Sequence, residues 1–205
     1  LHWHFDFTYI KKILTIGIPS GLENGMFQFG KILVQSLIAS FGTYSIAANA
    51  VSNNLAQMQI IPGMAMSLAM VTVVGRCVGA NDYKQAKYYI KKLMKITYIT
   101  MAVLIAVLLV FTPIILKFYA LSKETIDLAY QCIFIHTIFA ATIWPLAFTF
   151  PNALRASNDA KFTMIVSATS MWIFRFCFSY IIGRYMGYGL LGVWIAMFID
   201  WIVRS

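Results

Sequence analysis

Apolar residues in this chain run in long stretches, and polar residues gather in the short gaps between them. Six stretches stand out, at about 13–41, 45–78, 96–116, 126–150, 162–182 and 190–203. None alternates with a period of two, so none reads as a half-buried strand. At a helical rise of 1.5 Å per residue, about 18–20 apolar residues cross a hydrocarbon core of about 30 Å. In lipid every backbone amide must be paired within the structure, which leaves helices or a closed barrel. The pattern therefore predicts an all-α integral membrane protein, a bundle of six transmembrane helices.

Turn residues punctuate the pattern. The first stretch is broken early by Gly17, Pro19 and Gly21 and closes at Gly42 and Thr43, and the second carries Pro62 and Gly63 at its middle. Asp82 suits the N-cap of a separate helix on which Lys84, Lys87, Lys91 and Lys95 recur every three or four residues. That basic stripe fits an anionic inner leaflet or plain water, and both place it at the cytoplasmic surface. The gaps at 118–124 and 183–189 are too short to cross a membrane, so the helices they join are antiparallel neighbours. The segments GANDYK at 79–84 and ASNDAK at 156–161 share a small-x-Asn-Asp-x-Lys pattern. It reads either as turn chemistry, Asn closing one helix and Asp capping the next, or as a repeated helix-pair unit of the sort transporters use.

Composition and charge sharpen this reading. Mean hydropathy is +0.76, with 60% apolar and 11% charged residues, against roughly 45–50% and about 25% in soluble domains. The net charge of +9 would suggest nucleic acid in a soluble protein. Its placement excludes that partner. Lys11, Lys12, Arg76, Lys84, Lys87, Lys91, Lys92, Lys95, Arg155, Lys161 and Arg204 fall in or beside alternate gaps, while Lys117, Lys123 and Arg184 fall in the others. By the positive-inside rule the first set is cytoplasmic, and an even number of spans puts both chain ends there, in a multi-pass protein of the plasma or inner membrane. Cys77, Cys132 and Cys177 share no metal-like spacing. The first eight residues do not have the form of a signal peptide. The chain opens on Leu1 and stops at Ser205 while still helical in pattern, as expected of a fragment.

A charge at the bilayer centre costs about 2.5–3.5 kcal/mol on insertion scales, so one retained there is a functional candidate. Glu23 is the sharpest. A carboxylate beside a helix start weakened by Gly and Pro can bind a proton or a hard monovalent cation such as Na+, and can attract a cationic substrate; equally it can pair with Lys31 or Arg175. Those two cations read as structural, neutralising a carboxylate or reaching a headgroup by snorkelling. His136 reads as a hydrogen-bonded bundle histidine or a proton relay. Asn49, Asn53 and Gln57 recur at i, i+4 and i+8, with Asn54 and Gln59 beside them, and such a stripe faces protein or water: a substrate-binding wall or interhelical glue. Asp200 and Arg204, one turn apart, read as an interfacial pair. Trp144, Trp172, Trp194 and Trp201, with Met58, Met64, Met66 and Met70, offer pliable apolar surface to a pocket or pack as belt residues. No phosphate loop, nucleophile elbow or H-E-x-x-H helix occurs, so neither catalysis nor ATP-driven transport is expected, nor any cofactor beyond a coupling ion.

The runs IPSGLENGMFQFGK at 18–31, VGANDYKQAK at 78–87, LRASNDAK at 154–161 and GVWIAM at 192–197, in this order over nearly the whole chain, resemble those of MATE (multidrug and toxic compound extrusion) transporters. The resemblance implies a twelve-helix protein of two six-helix lobes, of which residues 1–205 are the second, helices seven to twelve, with the N-terminal lobe and membrane lipids as partners. It implies antiport of cationic or amphipathic drugs against Na+ or H+ by rocking of the lobes. Glu23 resembles the acid that many members carry in helix seven. The acid common in helix ten has no counterpart within 126–150, where Asp127 stands only at the edge, so coupling through Glu23 or through an N-lobe acid both stay open. Two other readings are a lipid-linked precursor flippase of related architecture, which calls for a larger cationic cavity, and a membrane-embedded enzyme or scaffold.

Overall fold

Turn residues fix where the helical rods end. The computed structural model describes residues 7–119, 121–157 and 159–205, without the side chains at 8, 9, 12, 16, 19, 20, 23 and 160. Its elements are α1 (Phe7–Ala39), α2 (Thr43–Gly79), α3 (Tyr83–Phe118), α4 (Lys123–Thr142), α5 (Phe150–Ala156), α6 (Ala160–Ser170) and α7 (Gly189–Arg204), with π-helical stretches at Pro145–Thr149, Met171–Cys177 and Ser179–Tyr185. Among the described residues these join into six rods and no strand occurs. Gly42, at φ 101°, turns the chain between α1 and α2, and Asn81, at φ 56°, does so between α2 and α3. Asp82 caps α3, its Oδ1 accepting from the Gln85 amide at 2.9 Å. The second half of the Asn-Asp pattern differs: Asn158 lies outside the described residues, and Asp159 makes no side-chain cap.

Several boundaries depart from the sequence pattern. α1 continues through positions 17, 19 and 21, because a bilayer offers the backbone no better partner than the helix itself. The Lys-bearing segment is not a separate helix but the first turns of the 36-residue α3, since its polar stripe and the apolar run that follows share one helical period. The expected helix over 126–150 stops at Thr142. Pro145, without an amide hydrogen, begins a π stretch there, and α5 follows. The helix expected over 162–182 is α only to Ser170 and π-wound beyond it.

Beyond its Lys-bearing first turns, both faces of α3 are apolar. Thr97, Met101, Ile105, Leu108, Thr112 and Leu116 are buried, whereas Ile99, Val103, Val107, Val110 and Ile114 are exposed at the same spacing. An apolar face turned outward marks lipid as the solvent. By length and composition four described stretches can cross a bilayer: Thr43–Gly79, Tyr83–Phe118, Lys123–Thr142 and Lys161–Tyr185. α7, with 16 residues, is shorter than the usual span of about 20.

α2 is the hub, packing on α3, α4, α5 and the Pro145–Thr149 stretch, while α1 packs on α6 and α7 on the two later π stretches. Gly63 of α2 is required where it is. A side chain there would run into the Trp144 indole and lie 2.9 Å from Met101 Sδ, so the glycine lets α2, α3 and the α4 end close together. Gly192 of α7 plays the same part against Gly183, whose backbone a Cβ would meet at 2.7 Å.

Candidate functional site

The polar residues of α2 divide by face. Asn49 is buried and works as glue: its Nδ2 donates to Gln35 Oε1 of α1 at 3.0 Å and its Oδ1 accepts from Trp194 Nε1 of α7 at 3.1 Å. One and two turns on, Asn53 and Gln57 are exposed into a partly enclosed cavity of about 540 Å³ between α1, α2, α4, α5, α6 and α7. A narrower chamber of about 230 Å³ continues from it beside Asn49 and Gln35, sharing Lys31, Asn53, Gln57, Arg175 and Trp194 as wall. The stripe thus both glues helices and lines the cavity.

His136 of α4 borders the same cavity. It is buried, with Nδ1 2.7 Å from Gln59 Oε1, while Gln59 Nε2 donates to Thr137 Oγ1 at 2.9 Å. The amide oxygen is therefore the end that faces the ring, so Nδ1–H donates and Nε2 carries the lone pair. Trp194, Phe198 and Trp201 surround the ring with centroids at 5.7, 6.3 and 5.3 Å. Gln59, on the far side of the helix from Gln57, is the residue that positions His136.

The remaining wall is apolar and basic. Trp144, Trp194, Trp201 and Met64 line it, whereas Met70 is fully buried in the core and Trp172 packs on Phe29 instead. Lys31, Arg155, Arg175 and Arg204 all border the cavity. Neither Lys31 nor Arg175 has an ion-pair partner among the described residues; both sit against the ring of Phe27. Asp200 and Arg204 pair as their spacing predicts, and the pair is buried within the bundle. The carboxylate is fully buried, its Oδ1 accepting from Arg204 Nε at 3.0 Å and from Ser170 Oγ, and Arg204 Nη2 donates to the Ser167 carbonyl at 3.0 Å. The pair is buried because α7 packs against α6 and the π stretches, which cover it. Glu23 stands on α1 one turn before Phe27, and its side chain lies outside the described residues. Among the described residues no cluster of His, Cys, Asp and Glu could hold a metal ion.

Sequence reasoning singled out Lys31, His136 and Arg175 because polar residues are rare inside apolar runs. It missed Phe27 as the ring that Lys31 and Arg175 share and Gln59 as the partner of His136. The local signal for Phe27 was its place four residues before Lys31, on the same helix face.

Known proteins converge on one relationship. A family profile described as MatE matches residues 19–181. The chain is 26% identical to the uncharacterized transporter YisQ of Bacillus subtilis over 99% of its own length and 44% of that protein. It is 24% identical to the probable multidrug resistance protein NorM of Thermotoga maritima over 95% of its length and 42% of that protein. Among solved structures, MATE in the bent conformation superposes with a TM-score of 0.86 at 20% identity, covering 98% of this chain and 44% of the other. The outward-facing conformation of a multidrug resistance MATE family transporter of the MOP superfamily gives 0.86 at 19% identity, over 98% and 45%. The chain thus spans less than half the length of the relatives it matches. With the helical bundle, the hub helix α2 and the profile match over most of its residues, this chain belongs to the MatE family of membrane transporters.

Proposed function

We propose that the chain is the C-terminal lobe of a secondary active multidrug efflux transporter of the cell membrane, with both its ends in the cytoplasm. A second lobe of similar size closes the transport path. Rocking of the two lobes exposes the cavity to either side in turn, and antiport of Na+ or H+ supplies the energy. The observation that carries this reading is the cavity of about 540 Å³ among the rods of a half-length MatE chain, with exposed amides on one wall and tryptophan and methionine on another. Amphipathic compounds fit such a wall, because aromatic and thioether groups repack around different shapes while the amides satisfy their polar ends. Glu23 serves as the exchanging acid, on α1 beside the cavity residues Asn24 and Phe27.

The full-length protein, produced in cells lacking their own efflux pumps, lowers the accumulation of amphipathic dyes, with cationic rhodamine 6G and anionic carboxyfluorescein scored separately. Glu23→Gln abolishes export while the amount of folded membrane protein is unchanged. Export that persists in this variant removes Glu23 from the mechanism. In proteoliposomes, dye movement driven by an imposed Na+ gradient or by an imposed pH gradient identifies the coupling ion, and movement indifferent to both overturns antiport.

A further inference from the structure

Three cations in the cavity wall gather on a single aromatic ring. Lys31 Nζ lies 5.0 Å from the Phe27 centroid, Arg204 Cζ 5.3 Å and Arg175 Cζ 5.4 Å. They come from three different rods, α1, α7 and the π stretch Met171–Cys177, so the fold and not local sequence brings them together. Lys31 and Arg175 thus meet over the ring that Arg204 also faces. Only one carboxylate answers them among the described residues. Asp200 is engaged by Arg204 and Ser170, and among the described residues no carboxylate lies within ion-pair distance of Lys31 or Arg175. Arg155 adds a further guanidinium to the same cavity, where it also donates to Asn152 Oδ1 and Thr163 Oγ1 at 3.3 and 3.4 Å.

Like charges held together in a water-poor site repel strongly, and a phenyl face offsets only part of that repulsion. An anion seated between them removes the rest. Arginine and lysine differ in what they offer it: the guanidinium gives a planar fork for a carboxylate or phosphate, and the ammonium gives a point charge. The adjoining wall, with Ile60, Met64, Leu68, Trp144 and Phe148, is apolar. The π winding at Arg175 fits the same picture, since π stretches recur where a helix must aim a side chain at a functional site. We propose that Lys31 and Arg175, braced by Phe27 and Arg204, form a binding site for the anionic group of an amphipathic substrate, a carboxylate or phosphate on an apolar body. The proposal rests on the efflux reading for its location in a transport path and narrows the substrate to compounds with a negative end. The negative group belongs either to a free organic anion or to a lipid headgroup.

The test uses the full-length protein purified in detergent and in phosphatidylcholine vesicles. Carboxyfluorescein binding is followed by fluorescence anisotropy. Lys31→Gln and Arg175→Gln each weaken it about tenfold, as expected for one charge-assisted contact, and the double variant weakens it further. Lys31→Arg retains it. In the unaltered protein, which needs no variant to fold, dodecyl phosphate displaces the dye and dodecyltrimethylammonium does not. Equal displacement by the two amphiphiles overturns the proposal, as does unchanged affinity in a folded double variant. To separate the sources, vesicle uptake of carboxyfluorescein is compared with transbilayer movement of a fluorescent phosphatidylglycerol read by dithionite quenching: the first assigns the site to free anions, the second to headgroups. Anion binding without dye export in cells overturns the efflux reading alone. Export without anion binding overturns this site alone.

Discussion

Buried polar residues in this chain are placed by partners far away in sequence. His136 is held by Gln59 across 77 positions, and Asn49 holds Trp194 across 145. Removing Gln59 leaves the imidazole N–H without its acceptor in a site walled by Trp194 and Trp201. Gln59→Leu is therefore expected to cost about 1–3 kcal/mol, seen as a lower midpoint of thermal unfolding in detergent. An unchanged midpoint would place the histidine's support elsewhere. The charges inside apolar runs were legible in the sequence because burying them unpaired is costly. Their convergence was not. Nothing in the run around Lys31 points to Arg175 or Arg204, which reach Phe27 only because α1, the Met171–Cys177 stretch and α7 meet along one side of the cavity.

Helices follow the same division between what local chemistry states and what packing decides. Apolar runs bounded by Gly42 and by Asn81-Asp82 marked the rods to within a few residues, since those positions adopt backbone angles that end a helix. The π stretches left no trace in the pattern, because a change from i→i+4 to i→i+5 bonding leaves the apolar content of the run untouched. Glycines show the contrast within one residue type. Gly192→Ala puts a methyl 2.7 Å from the Gly183 backbone, which cannot rotate away as a side chain can. The expected loss is about 1–3 kcal/mol, measured by thermal unfolding. Gly75 of α2 has nothing within 4 Å of the added carbon, so Gly75→Ala is expected to hold stability or raise it by about 0.5–1 kcal/mol. If both changes behave alike, α7 is not seated on the Ser179–Tyr185 stretch as described.

At the scale of the molecule, α3 shows what surrounds the bundle. Its outward row of Ile99, Val103, Val107, Val110 and Ile114 would be a liability in water and is at home among acyl chains. Val107→Asp, near the middle of that row, is expected to cost about 2.5–3.5 kcal/mol of insertion and to lower the membrane-integrated yield. A normal yield with the aspartate in place would mean that this face touches protein or water. The all-α membrane fold was the most legible property of all, because composition alone excludes water as solvent for so much apolar surface. The cavity was the least legible, since it exists only where α1, α2 and α7, with α4, α5 and α6, leave space between them.

The doubly π-wound rod that carries Arg175 has one further consequence. A π turn holds more residues per unit of length than an α turn, so this rod stores slack: a residue can be lost or gained between Met171 and Tyr185 with little change in where the rod enters and leaves the bilayer. Because the slack takes up such a change, side chains beyond Tyr185 keep their bearing while those within the π stretches, Arg175 among them, are re-aimed. A single-residue insertion or deletion in this rod is therefore expected to change what Arg175 presents to the cavity and to leave α7 seated where it is.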